Sequence, residues 1–191
     1  MRSIFENTLK NHQDAIAKSF APDQIALMEK ISSEILKCFK NGNKLLLCGN
    51  GGSASDSQHI AAEFVGRFNR DRKALPAIAL TTDTSIITAV ANDYSYDDIF
   101  SRQVEALGQA GDILIAISTS GNSPNVLKAI QAAREKKVII VGFSGKNAGK
   151  LRDQCDHLFI AQSPYTPHIQ EVHITVLHAI SEAVEQALFP A

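Results

Sequence analysis

Apolar and polar positions follow two different rhythms along this chain. Residues 1 to about 41 hold two helical patterns. The second, "DQIALMEKISSEILKCFKNGN", puts Ile25, Met28, Ile31, Ile35 and Cys38 at helical spacing and stops at Gly42. From Lys44 onward, short runs of continuous apolar character take over: "KLLLC", "PAIAL", "DILIAIS", "KVIIVGF" and a shorter "HLFIA". Apolar residues at successive positions, rather than alternate ones, mark strands buried on both faces. Helical patterns separate them, at 54–67, 84–92, 97–108, 123–135 and briefly near 146–152, and a long one runs from about Pro167 to Leu188. Strands alternating with helices predict an α/β fold with a parallel sheet covered on both sides. There is no internal repeat, low-complexity segment or Pro/Ser-rich linker. One domain over 1–191 is expected, with 1–43 as two extra N-terminal helices packing on the domain or on a partner subunit.

Composition narrows the function. The 191 residues are 45% hydrophobic and 20% charged, with a formal net charge of −1. That balance argues against a nucleic-acid-binding surface, which needs a basic excess. No apolar run approaches the roughly 20 residues of a membrane span. The opening "MRSIFENTLKNHQD" lacks the apolar core of a secretory signal. The three cysteines, Cys38, Cys48 and Cys155, have no metal-like spacing, and Cys48 reads as a small core residue. A reduced, cytoplasmic protein is expected.

In a parallel sheet, ligands bind beyond the carboxyl ends of the strands. Two of those ends are unusual. The first strand runs into Cys48-Gly49-Asn50-Gly51-Gly52-Ser53 and the third into Ser118-Thr119-Ser120-Gly121-Asn122-Ser123-Pro124. Each could be a tight turn with a serine N-cap, and Ser123-Pro124 has the form of a cap followed by proline at the first helical position. The second loop also offers the hydroxyls of Ser118, Thr119, Ser120 and Ser123 beside a helix N-terminus, an arrangement suited to phosphate. Neither loop has the lysine of a Walker loop or a G-x-G-x-x-G pattern, so a small phosphorylated molecule fits better than a nucleotide. On the helix after the first loop, His59 and Glu63 are four apart and share a face. The last helix carries Gln170, Glu171, His173 and His178, the last among Val176, Leu177, Ala179 and Ile180. Surface ion pair, core histidine, divalent metal site and acid/base pair all remain open for these residues.

The segments "CGNGGSASDSQHIAAEFVGRF", "AIALTTDTSIITAVANDY", "DDIFSRQVEALGQAGDILIAISTSGNSPNVLKAI" and "IQEVHITVLHAI" resemble the sugar isomerase (SIS) domain, and more closely the bacterial phosphoheptose isomerases. The resemblance implies a three-layer fold around a five-stranded parallel, flavodoxin-like sheet, and a homotetramer. It implies interconversion of sedoheptulose 7-phosphate and glycero-manno-heptose 7-phosphate through an enediol, towards lipopolysaccharide-core heptose. It puts metal ligands, most simply for one zinc, at His59, Glu63, Gln170 and His178. Substrate contacts fall on Asn50, Gly51, Gly52, Glu63, Asn92, Asp93, Ser118, Thr119, Ser120, Ser123 and Gln170. Glu63 and His178 become the acid/base pair, and Arg67 matches an arginine common near the site. His168 departs from the pattern, standing where many members carry arginine.

Two spacings imply a site shared between subunits. Glu63 lies about ten residues from a helix start near Ser53, roughly 15 Å along the axis, whereas a seven-carbon chain spans only about 9 Å. Gln170 and His178 are separated by roughly 12 Å of straight helix. They meet at one metal only if Gln170 sits at a bent helix start or comes from another chain. Two other readings share these motifs: an isomerase of a different sugar phosphate, and a non-catalytic SIS protein that binds a regulatory partner such as the replication initiator. Relatives of the latter kind lose the helix carboxylate and the last histidine, which are both present here.

Overall fold

The computed structural model describes residues 1–190. Five strands form one parallel sheet: β1 (Leu45–Cys48), β2 (Ala77–Ala79), β3 (Ile113–Ser118), β4 (Ile139–Gly145) and β5 (His157–Ala161), in the order β2-β1-β3-β4-β5. Seven α-helices accompany it: α1 (Arg2–Ser19), α2 (Pro22–Lys40), α3 (Gly52–Val65), α4 (Thr84–Asp93), α5 (Ser101–Leu107), α6 (Pro124–Glu135) and α7 (Thr166–Leu188). The strand order is that of flavodoxin-like sheets, and it reverses direction between β1 and β3, where such folds place their ligands.

Continuous apolar strands feed two cores. Leu45 and Leu47 of β1, Ile113, Ile115 and Ile117 of β3 and Phe143 of β4 point to one side, against α2, α3 and α7. Leu46, Cys48, Leu114 and Ala116 point to the other, against α5 and α6. The result is three layers. Helices α1 and α2 pack on the same side as α7, with Ala15, Met28, Ile31 and Ile35 in that core. Cys48 is fully buried in the other core, beside α5 and α6, and burial pushes its thiol up to about 12.

Several boundaries differ from the apolar pattern. β4 continues two residues past Phe143, because Ser144 pairs with Ser118 and Gly145 with Ala161 through backbone bonds that ignore side-chain polarity. The expected helix at 97–108 divides into a 3-10 turn at Tyr96–Asp98 and then α5, with Ile99 and Phe100 buried at the break. The short pattern near 146–152 is a 3-10 turn at Gly149–Asp153.

Candidate active site

The loops after β1 and β3 lie side by side at the sheet's reversal point. An amide pair joins them: Asn50 Nδ2 donates to Asn125 Oδ1 and Asn125 Nδ2 donates to Asn50 Oδ1, each at 2.9 Å. Tyr96 adds a hydroxyl donor to Asn50 Oδ1 at 3.3 Å. Asn125, buried in the first turn of α6, escaped the sequence reading. Its signal was a polar residue following Ser-Pro, where the helix already faces the core.

Neither loop's serine makes a side-chain capping bond. α3 starts from Gly51, and Ser53 is buried inside the helix. Ser123 occupies the N-cap position of α6 but makes no capping bond. Its Oγ lies 2.9 Å from Ser118 Oγ instead. Thr119 is partly exposed and Ser120 fully so, and Ser120 Oγ accepts from Asn122 N at 3.2 Å. Gly121 has φ +69°, and a Cβ there would meet Ala148 O at 1.9 Å, so only glycine lets this loop close on its neighbour. Beside it opens a cleft of about 350 Å³, lined by Thr119, Ser120, Asn122, Lys146, Ser163 and Thr166 among others. Lys146 gives this cleft a cation that the motif reading did not identify.

At the far end of α3, three side chains converge. His59 Nε2 lies 3.0 Å from Glu63 Oε1 and 3.3 Å from His178 Nε2. The two rings meet edge to face at 4.9 Å, with Phe68 beyond His178 at 5.7 Å. Burial holds the His178 imidazole below the ordinary histidine range. His59 adds to that effect and Glu63 opposes it. Burial and His59 together favour the neutral imidazole. Asp56, on the same stripe of α3, has a buried, unpartnered Oδ2, and burial raises its carboxyl to about 6 against the opposing pull of His59.

Gln170 stands apart from these three. It packs against Gly52, at the opposite end of α3: a Cβ on Gly52 would lie 2.6 Å from Gln170 Nε2. Asn92 and Asp93 are exposed at the end of α4, where Asn92 Nδ2 donates to Asp93 Oδ1 at 2.8 Å. Arg67 is exposed. The arginine that braces this region is Arg72. Its Nη2 donates to Glu63 O at 2.7 Å, its Nη1 to Phe64 O at 2.7 Å and its Nε to Glu185 Oε1 at 3.0 Å. Glu185 also accepts the backbone N–H groups of Phe68, Asn69 and Arg70.

Comparison with known proteins supports the same reading. The SIS domain family matches residues 10–145. A phosphoheptose isomerase of Pelobacter propionicus is 52% identical over 92% of this chain and 93% of its own length. One from Clostridium acetobutylicum is 49% identical over 99% and 97%. The solved phosphoheptose isomerase GmhA of Neisseria gonorrhoeae superposes with a TM-score of 0.86 at 40% identity, covering 97% of this chain and 96% of that one. The Francisella tularensis enzyme gives 0.88 at 33% identity, with the same coverage.

Proposed function

The chain belongs to the SIS-domain phosphoheptose isomerases, and on that premise we propose that it interconverts D-sedoheptulose 7-phosphate and D-glycero-D-manno-heptose 7-phosphate. The observation that carries this is the meeting of Glu63 and His178 across α3 and α7, with His59 between them. The isomerisation moves a hydrogen between two adjacent carbons and a proton between their oxygens. Glu63 takes the proton from C1 of the ketose on a carboxylate oxygen, giving the enediol, and returns a proton to C2. Neutral His178 can accept a proton at Nε2 and pass it between O1 and O2. The hydroxyls of Ser118, Thr119, Ser120 and Ser123, at an α6 N-terminus where Ser123 makes no capping bond, suit the phosphate. Asn50, Gly51 and Gly52, with Asn92, Asp93 and Gln170, contact the sugar chain in this reading.

A zinc ion belongs to the same proposal. In a tetrahedral site at about 2.0–2.1 Å per ligand, neighbouring donors stand about 3.3 Å apart. The 3.0 and 3.3 Å spacings of His59, Glu63 and His178 fit that. Gln170 does not start α7 but lies in its second turn, against Gly52, so as fourth ligand it comes from a neighbouring chain. A bound metal would supply Lewis-acid polarisation of the sugar oxygens, but through Glu63 Oε1 and His178 Nε2 it would occupy the atoms that carry the protons, so it would have to leave or shift for the transfer. The cytoplasmic location, the homotetramer and a role in lipopolysaccharide-core heptose synthesis are parts of the same reading. No described helix is long and apolar enough to cross a membrane.

The test is a coupled assay across a panel of five-, six- and seven-carbon ketose phosphates, with zinc supplied. The seven-carbon substrate should give the highest kcat/KM. A higher value on a shorter sugar would assign a different isomerase. No turnover of any sugar would leave a binding protein.

A further inference from the structure

A second cluster, away from Glu63 and His178, joins the first helix to the last. Glu171 Oε2 lies 2.5 Å from His12 Nδ1 and 3.0 Å from His168 Nδ1. One atom from each of the three residues falls within 4.8 Å of the other two. We propose that His12, His168 and Glu171 form a binding site for a divalent transition metal, distinct from the one at His59 and His178.

Four observations support it. The donors are two imidazole nitrogens and one carboxylate oxygen, with no thiolate, a set suited to Zn²⁺, Ni²⁺ or Co²⁺ and poorly matched to Ca²⁺ or Mg²⁺. Their spacing needs little change: tetrahedral ligation separates donors by about 3.3 Å, so the two hydrogen-bonded contacts have only to open by less than about 1 Å. The site is partly pre-formed. His168 is buried, with Tyr165 edge-on at 6.1 Å and His12 at 6.2 Å, while His12 and Glu171 retain 35% and 45% exposure and leave a path for an ion. Finally, a groove of about 400 Å³, lined by Ile4, Thr8, Asn11, Tyr165 and Pro167 among others, adjoins His168 and offers room for a water or a small ligand at the fourth position.

Without metal, Nδ1 of each ring shares a hydrogen bond with the same carboxylate oxygen. The ion replaces two hydrogen bonds with three coordinate bonds between α1 and the early turns of α7. Its occupancy fixes α1 next to the turn that carries Gln170.

The test isolates this cluster from the other one. Metal-free His59→Ala protein, in which the first cluster is broken, is titrated with Zn²⁺ by calorimetry and with Co²⁺ by visible absorption. One equivalent per chain is expected, together with a raised melting temperature. Adding His12→Ala, or separately Glu171→Gln, should weaken binding at least tenfold. His12 is only half-buried and Gln keeps the shape of Glu, so the two variants disturb the fold in different ways and provide independent readouts. No binding to the His59→Ala protein overturns the proposal. So does full affinity in either double variant. Neither result bears on the isomerase activity of the unmutated chain.

Discussion

Glu63 and His178 set the expectations at the residue scale. Glu63→Gln and His178→Ala should each lower kcat by at least about a hundredfold, the usual scale for losing an acid/base group. Near-normal turnover in a steady-state assay would remove that residue from the chemistry. Gly52→Ala is a subtler case. The added methyl meets the tip of the flexible Gln170 side chain rather than backbone, so the fold should survive while Gln170 is pushed aside. A several-fold fall in kcat/KM with an unchanged melting temperature is expected, and unaltered kinetics would detach Gln170 from the substrate. A third histidine matters for stability. His173 is buried, its Nε2–H donates to Ser144 O at 3.0 Å and its Nδ1 has no partner. Burial pulls its pKa from 6.5 down to about 4, against a smaller upward push from that bond. The folded value lies below the unfolded one, so stability is full above pH 6.5 and falls as pH drops towards 4, by roughly 3 kcal/mol from this site. Urea titrations at several pH values should show a shallower acid slope for His173→Gln than for the unmutated chain; equal slopes would count against it. The sequence made His168, His173 and His178 visible but not their separate roles. Steps of five residues turn a helix by about 140° each, so the three rings point to α1, to the core and to α3. Which ring faces which neighbour depends on packing between residues 29 to more than 100 positions apart.

Elements position Glu63 and His178 through a buried ion pair. Arg72 and Glu185 are each 2% exposed, and between them they tie the end of α3, the 66–73 segment and α7 together. Burial alone would raise the Glu185 carboxyl, but the N–H groups of Asn69 and Phe68 and the Arg72 guanidinium outweigh it and hold it below the usual range. Removing one partner of such a pair leaves an uncompensated buried charge, so Glu185→Ala should cost about 3–5 kcal/mol in a denaturant titration. A loss under about 1 kcal/mol would mean that water replaces the bonds. This brace was not legible beforehand, since a lone Arg and a lone Glu 113 residues apart look like solvated surface. The five strands were legible because burial on both faces leaves a continuous apolar run that no surface segment reproduces. Their ends were less so, because backbone pairing carried β4 through Ser144 and Gly145. Ser123 stands at the expected cap position with proline after it, but its hydroxyl is used elsewhere for a related reason. Ser123 had a better partner in Ser118, five residues back and across the loop, than in its own helix.

At the scale of the whole molecule, one chain holds the residues proposed for the sugar at the two ends of α3. Its 118–123 loop and first loop are joined through Asn50 and Asn125, and Gln170 lies beside them at Gly52. Its Glu63 lies eleven residues further along α3, roughly 16 Å away. A seven-carbon chain reaches only about 9 Å. Both sets can contact one substrate if Glu63 and His178 come from a neighbouring subunit. The surface is suited to such a partner: Ile4, Phe5 and Leu9 on α1 are 58–72% exposed, and Tyr94 at the end of α4 is 64% exposed. Closed symmetric assembly would cover these faces and complete every site by the same operation. The expectation is therefore complementation between chains that are each defective. A Glu63→Gln protein retains its loops and lacks the base, while a Ser120→Ala/Ser123→Ala protein retains the base and binds phosphate poorly. Mixed under subunit exchange and assayed at low substrate concentration, the pair should recover activity, since about a quarter of randomly formed sites combine an intact loop with an intact Glu63. Recovery should rise with exchange time and vanish when both variants carry Glu63→Gln. If exchange is demonstrated by mass and activity stays absent, each chain supplies its own loop and its own base. The substrate would then have to lie along α3 with that helix or its loops moved several ångströms towards each other.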